Sequence, residues 1–210
     1  VQDEAAVSAN EFRAAMNETR TDLRSTLDEF GSQISELDER FMSANDEMAQ
    51  EWAETREELS SYRQGLEADL ARLENASEAE ADQLTEAIAS DVEELTHRVE
   101  RAELESVEGP EEFVSAVQDR LSRLDQDFRM LEQEVQGLPM EARDEATETM
   151  QELSATADEI RTQLEGLAQA SAERISEERE EIAEDVSSLA ASVKRELFEA
   201  RRTTTASMNN

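Results

Sequence analysis

Between Leu59 and Val99 the residues recur every eleven positions in three registers at once: Leu59, Leu70, Ala81 and Val92; Tyr62, Leu73, Leu84 and Leu95; Leu66, Ser77, Ile88 and Val99. Eleven residues fill three helical turns at about 3.67 per turn, so such rows stay on one face of an α-helix that runs straight or winds slightly right-handed. A strand, with its two-residue period, would scatter them over both faces. Amphipathic helices are therefore the element this chain can form.

The rest of the chain agrees. Upstream, Phe12, Met16, Leu23, Leu27, Phe30, Ile34, Leu37, Phe41, Met48 and Trp52 follow threes, fours and sevens, a heptad stripe. A seam of Val114, Val117, Leu121, Leu124, Phe128, Leu131, Val135 and Leu138 follows, flanked by the i,i+4 pairs Asp119 with Arg123 and Asp125 with Arg129. Leu153, Leu164, Ile175, Val186 and Leu197 then recur every eleven residues, with Ile160, Ile182 and Val193 beside them. Hydrophobic content is 37%, charged content 35%, and there are six Phe, one Tyr and one Trp, which is little material for a thick core.

Five glycines and two prolines punctuate the chain. Gly109-Pro110, followed by Glu111-Glu112, reads as a helix stop and start: a left-handed glycine past one helix, proline in the first turn of the next, and carboxylates at its positive pole. Gly137-Leu138-Pro139 repeats the chemistry. Its residue order favours a reversal, the eleven-residue phase that survives it favours a kink, and the reversal is preferred.

The expected architecture is all-α and elongated, a long-helix hairpin or a three-helix coiled-coil bundle. Residues 1–107 form one long amphipathic helix, 108–139 a short helix between the two breaks, 140–202 a second long helix and 203–210 a flexible tail. A helix of about 105 residues would extend ~157 Å. With Gly137–Pro139 a kink the product is a hairpin; with a reversal, residues 81–107, 111–136 and 140–166 bundle and two helices project. Gly109 and Pro110 are the fold-back turn in either case. Narrow stripes, often filled by Ala, Ser or Thr, point to a homo-oligomer or to protein partners that cover them.

Charge narrows the partners. Fifty-four Asp and Glu against 20 Lys and Arg give a net charge of −34, so nucleic acid is not expected as a partner and anionic membrane surfaces are repelled, while an apolar surface stays open. Lys194 is the only lysine, and the arginine skew with so many carboxylates suggests a GC-rich coding sequence or a high-salt habitat. There is no Cys, and no apolar run reaches the ~18 residues of a membrane span or forms a signal-peptide core. Localisation stays open, and Val1 fits a processed or a trimmed start.

No catalytic, cofactor or metal site is expected. His97 is the only histidine, too few for a transition-metal site, and reads as a helix-surface residue. The carboxylates of Glu111-Glu112 and of "EEREE" at 177–181 read as a solvated face, and no phosphate-binding, nucleophile-elbow or zinc-protease motif is present. Trp52 and Tyr62 lie on the apolar stripe and, with Leu153, Leu164, Ile175, Val186 and Leu197, make the candidate interaction surface. "VKRELFEARR" at 193–202 is locally basic; it complements a helix C-terminus, or docks on an acidic partner or phospholipid through Phe198. The sequons at Asn17 and Asn75 fall within expected helices.

These features support a non-catalytic structural or adaptor protein that scaffolds or bridges partners through amphipathic faces. A second reading is a coat on lipid or polymer granules. The stretch "LPMEARDEATETMQELSATADEIRTQLEGL" at 138–167 resembles the exchangeable apolipoproteins in pattern, which implies an apolar surface as partner. Prolines, however, do not recur with each repeat, the stripe is narrow and interfacial lysine is nearly missing. A third reading is a helical clasp for a basic client.

Overall fold

In the computed structural model the backbone is described for residues 2–42, 46–167 and 170–208, with the side chains of 1–15, 18, 43–48, 51, 78–79, 168–169 and 205–210 outside the description. Phe12 and Met48 of the heptad stripe are among the latter. The described residues form six helices: α1 (Gln2–Met42), α2 (Asp46–Leu73), α3 (Glu78–Glu105), α4 (Pro110–Gly137), α5 (Met140–Leu167) and α6 (Ala172–Met208). The four inner ones are each 28 residues long, about 42 Å at the helical rise.

Capping side chains set the ends. At Ser77 the Glu80 carboxylate accepts from the backbone N–H (2.9 Å) and from the hydroxyl (2.6 Å), a reciprocal cap that starts α3 after the turn at 74–77. Before α6 the N–H of Arg174 reaches the Ser171 hydroxyl at 3.4 Å. Gly109 caps α4 in an extended conformation (φ −90°, ψ 148°) with Pro110 as the first helical residue. No glycine among the described residues has a positive φ, so the expected left-handed stop is absent. The α3 end is closed at Ser106, whose N–H donates to the Ala102 carbonyl at 2.9 Å, and at Val107, whose N–H donates to the Leu104 carbonyl at 3.4 Å. Between α4 and α5, Arg143 donates to the Leu138 carbonyl at 2.8 Å, and Gly137–Pro139 is a reversal.

Pairings across the bundle give the topology. Arg20–Glu74 (3.3 Å) and Arg56–Asp38 (2.9 Å) run α1 against α2, and helix direction alternates through α1–α2–α3 and again through α4–α5–α6. Each set of three forms an up-down-up unit. The units meet where α3 lies antiparallel to α6, tied by Arg195–Glu93 (2.9 Å) and Arg202–Asp82 (3.7 Å). Buried small residues, Thr85, Ala89 and Thr96 on α3 with Ser187, Ala190 and Ala191 on α6, let the central pair approach closely. Their hydroxyls are satisfied four residues back: Thr85 to Ala81 (2.6 Å), Thr96 to Val92 (2.7 Å) and Ser187 to Ala183 (2.7 Å).

The expected rod is thereby overturned. The described residues pack as a compact bundle of six helices with extensive contacts between helices distant in sequence, and neither a hairpin nor a three-helix coiled coil. The physical cause is a near-coincidence of periods. Asp46, Glu78 and Pro110 begin successive helices 32 residues apart, and so do Met140 and Ala172. Three eleven-residue steps take 33, so a row slips by only one position across each turn and reads as continuous. Ser77, the polar member of its row, is the cap between two helices. Gly109-Pro110 does reverse the chain, but α3 and α4 touch little, and the larger partner of each is α6.

Three apolar clusters fill the bundle. One joins α1, α2 and α3 through Leu23, Phe30, Leu37, Trp52, Leu59 and Leu95. A second joins α4, α5 and α6 through Phe113, Val117, Leu124, Ile160, Val186 and Leu189, and a smaller third gathers Leu131, Val135, Leu138, Leu197 and Ala200. Among the described residues most of each stripe is thus covered within the chain. The stretch expected to fray continues α6 to Met208, where Thr204 is buried and its hydroxyl meets the Glu134 carbonyl at 3.4 Å. Residues 209–210 lie outside the described residues.

Candidate functional site

The residues expected to form an interaction surface lie mostly inside. Trp52 is buried and stacked on Phe41, ring centroids 4.9 Å apart and planes at 12°, while its Nε1 donates to Asp38 Oδ1 at 2.8 Å. Tyr62 is half-buried beneath the Arg98 guanidinium, 5.2 Å from the ring centroid. Leu164, Ile175, Val186 and Leu197 are buried, and Leu153 is half-buried against the second cluster.

The basic stretch of α6 is also turned inward. Lys194 meets Glu29 of α1 at 3.1 Å, Arg195 meets Glu93 of α3, Arg201 meets Glu134 of α4 at 3.3 Å, and Phe198 packs on the first cluster. Of the cations that sequence reasoning assigned to a helix end or to a docking site, Lys194 and Arg195 tie the two three-helix units together, and Arg201 ties α6 to α4 within the second. In "EEREE", Arg179 is the one that folds in: its Nη2 donates to the carbonyls of Leu104 (3.0 Å), Glu105 (3.1 Å) and Val107.

Where α1, α3, α4 and α6 converge, the bundle forms a polar, partly open cavity of 190 Å³ edged by Gln33, Thr96, Glu100, Arg120, Asp127 and Lys194. Glu100 and Arg120 are only 4% and 6% exposed and face one another as an ion pair, with Asp127 4.0 Å from the same guanidinium. Burial outweighs the attraction of Arg120 and pushes the Glu100 carboxyl up to about 6; burial likewise raises Asp127. Every cation on this cavity already has a carboxylate: Arg120 has Glu100, Arg123 has Glu103 (3.7 Å) and Lys194 has Glu29. The cavity suits ordered water between charged groups.

No family model, curated protein or solved structure matches this chain.

Elsewhere the polar groups disperse. His97 is half-buried on the α3–α6 seam with Nε2 3.1 Å from Glu184 Oε1. Among the described residues no group of three or more metal-ligating side chains is placed to hold an ion, and no helix is long and apolar enough to cross a membrane. A cleft of 620 Å³ beside the 74–77 turn is open and edged by Asp69, Arg72, Asn75, Glu80 and Leu84. Asn75 lies in that turn and not in a helix, whereas Asn17 is on α1 with Thr19 buried.

Proposed function

We propose that this chain is a non-catalytic protein-interaction module, an acidic helical bundle that engages protein partners through its outer helix faces. The observation that carries the reading is the dispersal of its chemistry. Among the described residues the buried charged groups are paired with one another across helices, and the cleft beside the 74–77 turn is an open trough without a convergent acid, base and nucleophile. A net charge of −34 displayed on helical faces selects basic surfaces and repels anionic ones.

Crosslinking in the source cells, followed by reconstitution of the complex from purified chain and purified partner, tests this. A discrete complex of fixed stoichiometry is expected. A chain that stays alone in reconstitution but floats with zwitterionic vesicles would replace the reading with a surface coat.

A further inference from the structure

Helix α5 is buried unevenly. Its second half sets Ala157, Ile160, Leu164 and Leu167 inside the bundle, but from Met140 to Leu153 no side chain is fully covered. Ala142, Ala146 and Met150 are half-buried against the third cluster, Leu153 is half-buried against the second, and Met140 is 77% exposed. Two of these positions hold only alanine, so along about 20 Å of helix the apolar row is covered in part. By contrast α2 buries Trp52, Leu59, Leu66, Leu70 and Leu73 along nearly its whole length.

The edges of that row are carboxylates. Glu141, Asp144, Glu145, Glu148 and Glu152 are exposed on α5, and Arg143 is engaged by the Leu138 carbonyl. From α6, Glu196 joins them half-buried; burial raises its carboxyl, and Glu199 and Glu145 of α5 raise it further against the opposing pull of Arg195. The nearby Arg195 is committed to Glu199 and Glu93. An incompletely covered apolar row and a crowd of under-compensated carboxylates thus coincide.

We propose that this first half of α5, with the α6 edge at Glu196, docks a basic amphipathic helix of a protein partner, whose apolar side covers Ala146, Met150 and Leu153 and whose Lys and Arg flank them. The proposal rests on the protein-contact reading above and gives it a place and a partner chemistry. A second copy of the chain does not fit, because each of the six helices carries more carboxylates than cations. An anionic lipid surface is repelled for the same reason. So short a face makes a transient, salt-sensitive complex.

The test uses the full chain and a synthetic helical peptide with leucine at every third or fourth position and lysine elsewhere. Binding is followed by titration and by amide hydrogen exchange at two salt concentrations. Protection should concentrate in residues 140–153 and around Glu196. Met150→Gln should weaken binding about tenfold, and Glu145→Gln with Glu148→Gln should weaken it and flatten its salt dependence. Glu54→Gln with Glu57→Gln, exposed on α2, should do neither. Each variant's melting curve reports whether the bundle is intact. Protection spread evenly over the acidic helices, unchanged affinity in Met150→Gln, or a peptide-free dimer abolished by that substitution would each overturn the proposal. If crosslinked native partners map to another face, this site fails while the protein-contact reading stands; if no native partner forms a complex, both fail.

Discussion

The Arg179 guanidinium lies 4.9 Å from the centroid of the Phe113 ring, and its Nη2 donates to the carbonyls that end α3. One side chain of α6 thereby satisfies orphan carbonyls of one three-helix unit and covers an aromatic ring of the other. Arg179→Ala should cost about 2 kcal/mol, from a cation–π contact and charge-assisted hydrogen bonds in a half-buried setting, and lower Tm by about 4–8 °C. Arg179→Lys keeps the charge but loses the planar fork and should recover less than half of that. Calorimetric melts of the two variants check it, and a full rescue by lysine would mean that charge alone matters.

Trp52 is the single tryptophan and sits between Phe41 and Asp38, so its fluorescence reports the docking of α1 on α2. Trp52→Ala should destabilise by about 3–5 kcal/mol through the cavity it leaves. Trp52→Phe keeps the stacking and loses the indole hydrogen bond, and should cost about 1 kcal/mol, because Asp38 keeps Arg56 at 2.9 Å. Urea titrations followed by circular dichroism measure both.

The apolar rows reported which residues are interior: Leu23, Leu37, Leu59, Leu124 and Val186 are all buried. Where each helix ends was less legible. The row through Leu66, Ser77 and Ile88 hid the turn, although Ser77 and Glu80 spell a capping box that marks a helix start. The central pairing was hidden for another reason. Thr85, Ala89, Ser187 and Ala190 look like a weak stripe in need of an outside partner, yet their smallness is what brings α3 and α6 together. Nothing in the sequence singles out Glu100 and Arg120 from the other charged residues, since their pairing is created by the way α3 and α4 are held around the cavity. The open half of α5 needed the bundle too, because half-coverage is a property of neighbours.

The Glu100 carboxyl, raised on folding from 4.5 to about 6, sets the pH response. A carboxyl raised in the folded state makes that state bind more protons between those values, so stability falls as pH rises through that window. Asp127, Asp91, Asp185 and Glu196 are each raised, with burial the largest cause, and act in the same direction. Glu80, lowered by its bonds to Ser77, is fully exposed and acts the other way. The bundle should melt higher at pH 5 than at pH 7. Arg120→Met strands a buried carboxylate and should cost about 3 kcal/mol at pH 7, much less once Glu100 is protonated, and adding Glu100→Gln should recover most of the loss. Tm against pH for the unsubstituted chain and the two variants decides, and an Arg120→Met penalty equal at both pH values would show that the carboxylate is not its cause.

Salt should stabilise this bundle. Its formal charge is −34, and like charges crowd one another on its helices, as where Glu181 and Glu184 raise Asp185. The Debye length falls from about 30 Å at 0.01 M to about 3 Å at 1 M, so molar salt screens repulsion between helix faces while the buried pair of Glu100 and Arg120 is little affected. Tm should climb by several degrees or more between those concentrations. Small-angle scattering in high salt should give a longest dimension of roughly 70 Å, about the length of the 41-residue α1 with its side chains, and not the ~157 Å of a single long helix. At low salt the particle should expand as the repulsion is unmasked. A Tm flat with salt would mean that neighbouring arginines already neutralise the faces, and the high-salt habitat suggested by the composition would lose its support.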